Sequence, residues 1–180
     1  MKLIVITSPD KVPGEVSKIC QLLDNGIDIL HIRKPDWTEA QCRKLIEQIP
    51  ERYRHKLVVH QYFKLCQTYH LRGIHLNRRH PLLPPKHQGT VSCSCHSLEE
   101  VSTRKPVMDY VFLSPIFDSI SKQGYHSAFP LPVLRTAQEE GIIDEKVIAL
   151  GGVTYDKLPL LEYLSFGGGA MLGEIWGANQ

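Results

Sequence analysis

Two serines and a lysine follow a short apolar run in the second half of the chain, and their types suit an anionic ligand. Ser119, Ser121 and Lys122 come shortly after residues 110–113. An apolar run of this length is typical of a strand buried on both faces of a parallel sheet. Hydroxyl donors and a mobile cation just beyond such a strand favour phosphate binding. The same residues also fit a polar surface loop, so the choice depends on the rest of the chain.

Glycines follow the last two apolar runs, where a phosphate could approach the backbone. Gly151 and Gly152 come directly after residues 147–150, and Leu172 and Gly173 close the final run. Backbone N–H groups close on phosphate oxygens most readily where no Cβ intervenes. Glycines also make ordinary tight turns. Directly after the seventh and eighth strands of a chain in which strands and helices alternate, however, they favour a phosphate site.

A histidine and an arginine close an earlier apolar run. His31 and Arg33 are two residues apart, so in a strand both point to the same side. A charged arginine on the inner side of a fold needs a partner, and a phosphate would be one. We therefore predict that both residues bind the ligand, together with Ser94 at the end of a later strand.

Four histidines stand near the ends of successive predicted strands: His31, His60, His75 and His96. A zinc site needs about three such ligands, usually at tight spacings, and no H-x-H or H-E-x-x-H pattern is present. We therefore predict hydrogen-bonded or substrate-contacting histidines and no metal. His96 is the candidate for acid–base catalysis, because a neutral imidazole near pH 7 both accepts and donates a proton.

The elements that must position these residues alternate regularly between strands and helices. Helical periodicity, with apolar residues at i, i+3, i+4 and i+7, separates the short apolar runs. Eight such units predict a parallel sheet closed into a (β/α)8 TIM barrel, with an open doubly wound sheet as the alternative. The predicted strands are residues 3–7, 27–32, 56–59, 73–76, 90–95, 110–113, 147–150 and 168–172.

The predicted barrel is shortened in two places. Residues 78–88 contain three prolines and no apolar stripe, so a loop is expected where the fourth helix would lie. The last helix is cut to a stub over residues 174–180, and this predicts a homodimer whose partner covers Ile175 and Trp176. No linker-like stretch divides residues 1–180, which predicts a single domain.

Composition excludes several classes of function. The chain is 42% hydrophobic and 22% charged, and its formal net charge of +2 is too small to indicate a nucleic-acid partner. No signal peptide or membrane-length apolar run is recognised, so no membrane partner is predicted. Five cysteines at scattered spacings predict free thiols and a cytoplasmic location, with Cys93 and Cys95 buried on one face of a strand.

Six segments occur in the order found in a known family: HIRKP, GIHL, SCSCHSLEE, DYVFLSPIFDSISK, VIALGGV and GGGAMLGEI. Together they resemble the thiamine phosphate synthase/TenI family of TIM barrels. The resemblance implies that Arg33 and Lys122 hold the pyrophosphate of a pyrimidine substrate. It also implies that Ser119 and Ser121 surround a thiazole phosphate, with the backbone cradle at Gly151, Gly152, Leu172 and Gly173.

The chain departs from the synthases of this family where they bind magnesium. Their usual Asn-Asp-Arg run after the third strand is His60-Gln61-Tyr62 here, and the region of a second acid contains Arg78 and Arg79. Because Mg²⁺ requires oxygen donors, no cofactor is expected unless the chain is a synthase with an atypical metal site. We predict that Arg78 and Arg79 supply positive charge in place of the metal.

The TenI branch of the family tautomerises a thiazole carboxylate phosphate, which requires a phosphate cradle and a histidine but no metal. His96 stands where the resemblance implies the histidine of that branch. The favoured prediction is therefore a metal-free thiazole tautomerase with His96 as the proton shuttle. A thiamine phosphate synthase that joins hydroxymethylpyrimidine pyrophosphate to thiazole phosphate is the alternative. A non-catalytic binder of thiazole or thiamine phosphates is the third.

Overall fold

A computed structural model describes residues 1–117 and 129–177 of the chain. Eight parallel strands hydrogen-bond in sequence order, and β8 pairs with β1 to close the barrel. This closure confirms the predicted TIM barrel and excludes the open sheet. The strands are β1 (Lys2–Ile6), β2 (Ile29–Ile32), β3 (Leu57–Val59), β4 (Gly73–Leu76), β5 (Thr90–Cys95), β6 (Tyr110–Leu113), β7 (Val147–Leu150) and β8 (Gly168–Met171).

Helices cover the outside of the barrel, and their starts follow from local sequence. Thr38 forms a capping box with Gln41, which satisfies two backbone donors at the start of α2. Ser97 accepts from the amide of Glu100 and so caps α4. In the described part of the chain the helices are α1 (Glu15–Asp24), α2 (Glu39–Gln48), α3 (Lys64–Thr68), α4 (Leu98–Arg104), α5 (Leu131–Glu139), α6 (Leu158–Tyr163) and α7 (Gly173–Trp176).

The shortening of the barrel is also confirmed. Between β4 and β5 the chain forms no helix, because its prolines and lack of an apolar stripe leave nothing to pack on the strands. The last helix, α7, has four residues and ends before Gly177, which has a positive φ of 92°. Several strand boundaries were predicted one or two residues wrong. For example, β2 begins at Ile29 and not at residue 27.

Two apolar layers hold the barrel together. One lies between the strands and the helices, and includes Ile19 of α1 and Ile46 of α2, neither of which is exposed. The other fills the barrel interior with side chains such as Ile4, Val58 and Phe112. Alternate residues of each strand face these two layers. The inward-facing polar residues at the top of the interior therefore have a fixed place in the fold.

The prediction that a partner subunit covers Ile175 and Trp176 is wrong. Ile175 and Trp176 are buried within the chain itself, and the Trp176 indole Nε1 donates to the carbonyl of Ile6 at 2.8 Å. The stub helix thus packs its apolar residues on its own barrel. A homodimer remains a prediction without that support.

The cysteines behave as expected in the fold. All five are free, and Cys93 and Cys95 are both buried beside the outer layer of the core. No helix among the described residues is long and apolar enough to cross a membrane.

Candidate active site

A cavity of about 980 Å³ opens at the carboxyl ends of the strands. This is the end at which TIM barrels carry their chemistry. Its wall includes nine of the residues predicted from sequence. They are Arg33, Arg78, Arg79, Ser94, His96, Gly151, Gly152, Leu172 and Gly173.

Three arginines line one side of the cavity, beyond β2 and β4. Arg33 is held through its backbone, because its N–H donates to Thr7 Oγ1 at 2.9 Å and the same hydroxyl donates back to its carbonyl. Arg79 donates through Nη1 to the carbonyl of Pro35 at 3.1 Å, and Arg78 is exposed. Partial burial, followed by the nearby charge of Arg79, lowers the pKa of Arg33. Clustered guanidinium groups of this kind attract a polyanion.

Unpaired backbone amides line the opposite side, beyond β7 and β8. Gly151 has a φ of 92°, and a Cβ there would lie 2.8 Å from Cα of Pro115. The amides of Gly151, Gly152 and Gly173 donate to no acceptor in the described residues. Such amides can bind phosphate oxygens directly. The phosphate cradle remains a prediction, but its donors are available.

His96 is positioned as a proton acceptor at the cavity. Its Nδ1 lies 3.1 Å from the carbonyl oxygen of Ser114, and its backbone N–H donates to Glu100 Oε2 at 2.7 Å. A carbonyl only accepts, so the neutral ring carries its proton on Nδ1. Nε2 then keeps a lone pair and makes no hydrogen bond to the described protein atoms. This arrangement suits a general base that returns the proton as an acid.

His31 does not line the cavity. It is fully buried, with its two ring nitrogens 2.9 Å from His60 Nε2 and 2.8 Å from the Tyr110 hydroxyl. His75 lines the cavity although it is almost fully buried, and its ring nitrogens lie 2.9 Å from Ser92 and Ser94. The side chain of His31 points inward, as its alternation with Arg33 predicted, but it reaches His60 instead of a ligand.

His31, His60 and His75 form a compact cluster at the floor of the cavity, which His60 and His75 line and His31 does not. Their ligand atoms lie within 4.8 Å of one another, a spacing that could hold a metal ion. However, five of the six ring nitrogens are hydrogen-bonded to protein groups, and the rings of His60 and His75 are stacked at 4.2 Å. Burial is the largest cause that lowers the pKa of all three histidines, to about 3 for His75. The cluster is therefore uncharged at neutral pH.

Ser119, Ser121 and Lys122 lie outside the described residues, so their predicted contacts with a ligand remain predictions. Lys34, which stands one place before the lysine that usually ends the second strand in synthases of the family, does not line the cavity. It is fully buried between the end of β2 and the start of α1, where it pairs with Glu15 at 2.6 Å. No local sequence pattern points to this pair, because 19 residues separate its members.

Comparison with known proteins identifies the family of this chain. A family model described as thiamine monophosphate synthase (TMP-TENI) matches residues 3–175. The chain belongs to this family. Membership in the thiamine monophosphate synthase family confirms the resemblance found in the sequence and places the chain in thiamine biosynthesis.

Three similar proteins are named thiamine-phosphate synthase or thiamine phosphate pyrophosphorylase. A thiamine phosphate pyrophosphorylase from Bacteroides thetaiotaomicron is 44% identical, with a TM-score of 0.89 over 98% of this chain and 85% of that one. A thiamine-phosphate synthase from Caldicellulosiruptor bescii is 29% identical over 77% of this chain and 66% of its own length, just under two thirds. A Pyrococcus furiosus pyrophosphorylase (20% identical, TM-score 0.76, covering 96% and 85% of the two chains) shows the shared fold. These relatives support the synthase over the favoured tautomerase.

The residues of this family member do not fit Mg²⁺ where the synthases carry their acids. Gln61 donates its amide to the carbonyl of Lys34 at 2.6 Å, and Asn77 Oδ1 accepts from the amides of Arg79 and His80. Among the described residues that line the cavity, the carboxylates are Glu100 and Glu174. The oxygen ligands that Mg²⁺ requires are thus not assembled at this side of the described cavity.

Proposed function

We propose that this chain is a thiamine phosphate synthase that joins a thiazole phosphate to a pyrimidine pyrophosphate. The observation that carries the proposal is the presence of two separate anion-binding sides in one cavity. Arginines line the side beyond β2 and β4, and unpaired amides line the side beyond β7 and β8. A reaction between two phosphorylated substrates uses both sides. The names of the relatives support the same activity.

The two sides suggest the role of each group in the reaction. The amides of Gly151, Gly152 and Gly173 hold the thiazole phosphate, while Arg33, Arg78 and Arg79 hold the pyrophosphate. The bond between the pyrimidine methylene carbon and the pyrophosphate oxygen breaks, and its electron pair leaves with that oxygen. The thiazole nitrogen then forms the new bond to carbon. Fixed guanidinium charges stabilise the leaving group as its negative charge develops.

Replacing both Arg78 and Arg79 with alanine is expected to weaken pyrimidine pyrophosphate binding at least tenfold, because two charged donors leave the cavity. Thiazole phosphate affinity is expected to change less than twofold. Isothermal titration calorimetry measures both. The control replaces Arg43 and Arg54 with alanine. This makes the same change in net charge, and neither residue lines the cavity. Unchanged pyrophosphate affinity in the Arg78/Arg79 variant would contradict the proposed role.

The geometry of His96 favours a second candidate, a thiazole tautomerase. Its Nδ1 proton is fixed by the Ser114 carbonyl, which leaves Nε2 to move a proton on the ligand. Replacing His96 with asparagine is expected to lower isomerisation at least 100-fold, the range of general acid–base catalysis, with thiamine phosphate affinity within twofold. A steady-state assay and calorimetry give the two values. Isomerisation that survives this replacement would exclude His96 as the shuttle.

One pair of assays decides between the two reactions. Purified protein is tested for thiamine phosphate formation and for thiazole tautomerisation, each with and without Mg²⁺. The synthase proposal requires the first activity and the tautomerase the second. Micromolar binding of thiamine phosphate with neither activity would support the non-catalytic binder and overturn both.

A further inference from the structure

The loop that follows β7 is anchored through its carbonyl groups. The carbonyl of Leu150 accepts from the amide of Ile116 at 2.9 Å. The next carbonyl, that of Gly151, accepts from the amide of Phe117 at 3.1 Å. Two consecutive carbonyls can face the same segment because Gly151 has a positive φ of 92°. In a trans peptide the N–H is antiparallel to the C=O, so the amides of Gly151 and Gly152 point away from that segment.

Lys157 anchors the third consecutive carbonyl of this loop. Its Nζ donates to the carbonyl of Gly152 at 2.7 Å. The side chain reaches this carbonyl because a 3-10 turn over Tyr155–Lys157 brings the chain back toward the loop. The amide of the same peptide belongs to Val153 and points away from the ammonium group. Gly152 and Val153 line the cavity, whereas Lys157 does not.

The amides of Gly152 and Val153 are free to bind a ligand. Neither donates to an acceptor within the described part of the chain. Val153 is only 4% exposed, and a buried amide without an acceptor is unfavourable, so a ligand oxygen at this position would be stabilising. Successive N–H groups in a turn conformation form the concave sites that bind anions. This loop therefore suits a phosphate group.

Lys157 also contributes a charge that no nearby acid neutralises in the described residues. It is half-buried and forms no ion pair in that part of the chain. Its ammonium lies 4.7 Å from the centre of the Phe117 ring, a cation–π contact that holds the charge in place. A cation fixed on the carbonyl side of the loop makes the amide side more attractive to an anion.

We propose that Lys157 is a positioning residue for the phosphate-binding loop. It orients the peptide between Gly152 and Val153 and holds positive charge behind it, so that the amides of these two residues bind the oxygens of one phosphate group. Lys157 itself does not contact the ligand. The inference rests on the proposed function in one respect, since it assigns the thiazole phosphate to this side of the cavity. It adds the amide of Val153 to the donors that the sequence indicated.

The same strand provides a matched control at its other end. Lys146 is also half-buried, and its Nζ donates to the carbonyl of Met108 at 3.0 Å. It forms no ion pair in the described residues and does not line the cavity. Lys146 precedes β7, whereas Lys157 follows it, so the two lysines lie at opposite ends of the barrel. Replacing either with methionine makes the same change in charge and removes the same kind of hydrogen bond.

The Lys157→Met variant is expected to bind thiazole phosphate at least fivefold more weakly, because a charge-assisted contact that orders the loop is lost. Pyrophosphate, which the arginine side binds, is expected to keep its affinity within twofold. Lys157→Arg retains the charge and a donor and is expected to restore thiazole phosphate affinity to within threefold of the native chain. Lys146→Met is expected to change neither affinity. Isothermal titration calorimetry gives all these values.

The same split is expected in the synthase reaction. In Lys157→Met the KM for thiazole phosphate rises at least fivefold and kcat stays within twofold, since the lysine positions the substrate and does not take part in the chemistry. A loss caused only by a less stable fold would lower kcat for the same amount of protein and would leave KM unchanged.

Inorganic phosphate tests the loop without reference to the reaction. In ¹⁵N–¹H spectra of the native chain, phosphate is expected to shift the amides of Gly152 and Val153, and not that of Gly141, which donates to Gln138 at 2.9 Å. In Lys157→Met the same shifts are expected to need at least fivefold more phosphate. If the native chain fails to bind thiazole phosphate, the proposed function is contradicted, and the phosphate titration still tests the role of Lys157.

Three results would overturn the role of Lys157. The first is equal thiazole phosphate affinity in Lys157→Met and Lys146→Met. The second is an equal loss of thiazole phosphate and pyrophosphate affinity in Lys157→Met, which would indicate a general disturbance of the cavity. The third is the absence of a shift at the Gly152 and Val153 amides of the native chain at saturating phosphate.

Discussion

Replacing Lys34 with methionine is expected to destabilise the fold by about 3 kcal/mol, at the lower end of the range for breaking a buried ion pair. The Lys34 ammonium is fully buried, lies 2.6 Å from Glu15 Oε1 and donates to the carbonyl of Asp10 at 2.7 Å. It also lies 4.4 Å from the centre of the Trp37 ring. Without it, the Glu15 carboxylate stays buried with no cation. Urea unfolding at pH 7 measures the loss.

Two controls isolate the buried charge. Combining Lys34→Met with Glu15→Leu removes both charges and is expected to recover most of the lost stability, because a packed apolar pair often replaces a buried ion pair without loss. Replacing Arg43 with methionine breaks its exposed pair with Glu39 and is expected to cost less than about 1 kcal/mol. A loss in Lys34→Met no larger than that of Arg43→Met would show that the buried pair contributes little.

The ion pair also bears on the active site. It ties the segment after β2 to the start of α1, next to Arg33, whose backbone is bonded to Thr7. Loss of the pair removes the anchor of Lys34, the residue that directly follows Arg33 in the chain. The Lys34→Met variant is therefore expected to disturb the position of Arg33 as well as to lower the stability of the fold.

Acidification is expected to destabilise the protein steeply below about pH 6.5, the pKa of histidine in an unfolded chain. His31, His60 and His75 have pKa values well below that in the fold, mainly because burial disfavours their charged forms. At pH values between the folded and the unfolded pKa of these histidines, the unfolded chain binds protons that the folded chain does not. Stability therefore falls as pH falls. Three such groups contribute up to about 4 kcal/mol per pH unit near pH 5. Urea unfolding at several pH values gives the slope.

Variants of single histidines test the source of this slope. Replacing His75 with asparagine is expected to reduce the slope by about one proton, or 1.4 kcal/mol per pH unit. Replacing His55, which is exposed on the outside of the barrel, is the control and leaves it unchanged. Glu15 acts in the opposite direction, since burial raises its pKa in the fold, so the comparison is made with Glu15 intact. Equal slopes for the native chain and His75→Asn would refute the assignment.

Local sequence was sufficient to predict the strands and most of the helices. Short apolar runs between helical stripes predicted eight strands, and in the structure Thr38 and Ser97 cap the starts of two helices. The prolines of residues 78–88 predicted the missing helix. These signals are local because hydrogen bonding within a turn and burial of one face depend on residues close in the chain. Strand boundaries were less certain, since they depend on pairing with neighbouring strands.

The sequence also predicted which residues gather at the carboxyl ends of the strands, because closure of a parallel barrel brings those ends together. Arg33, His96 and Gly151 all line one cavity for this reason. The resemblance assigned Arg33 and the glycines to two different anions, but it did not place them on opposite sides of the cavity. That placement depends on how far around the barrel each strand lies, which follows only from the closed strand order.

What the sequence determined by itself is the alternation, the family and the set of residues at the strand ends. Only the tertiary structure decided that Lys34 pairs with Glu15, that His31 contacts Tyr110 79 residues away, and that both are hidden from the cavity. Alternation assigns a side chain to one of two faces, but burial and partners depend on which distant strand or helix packs there. The chemistry of the barrel floor was therefore visible only after the barrel had closed.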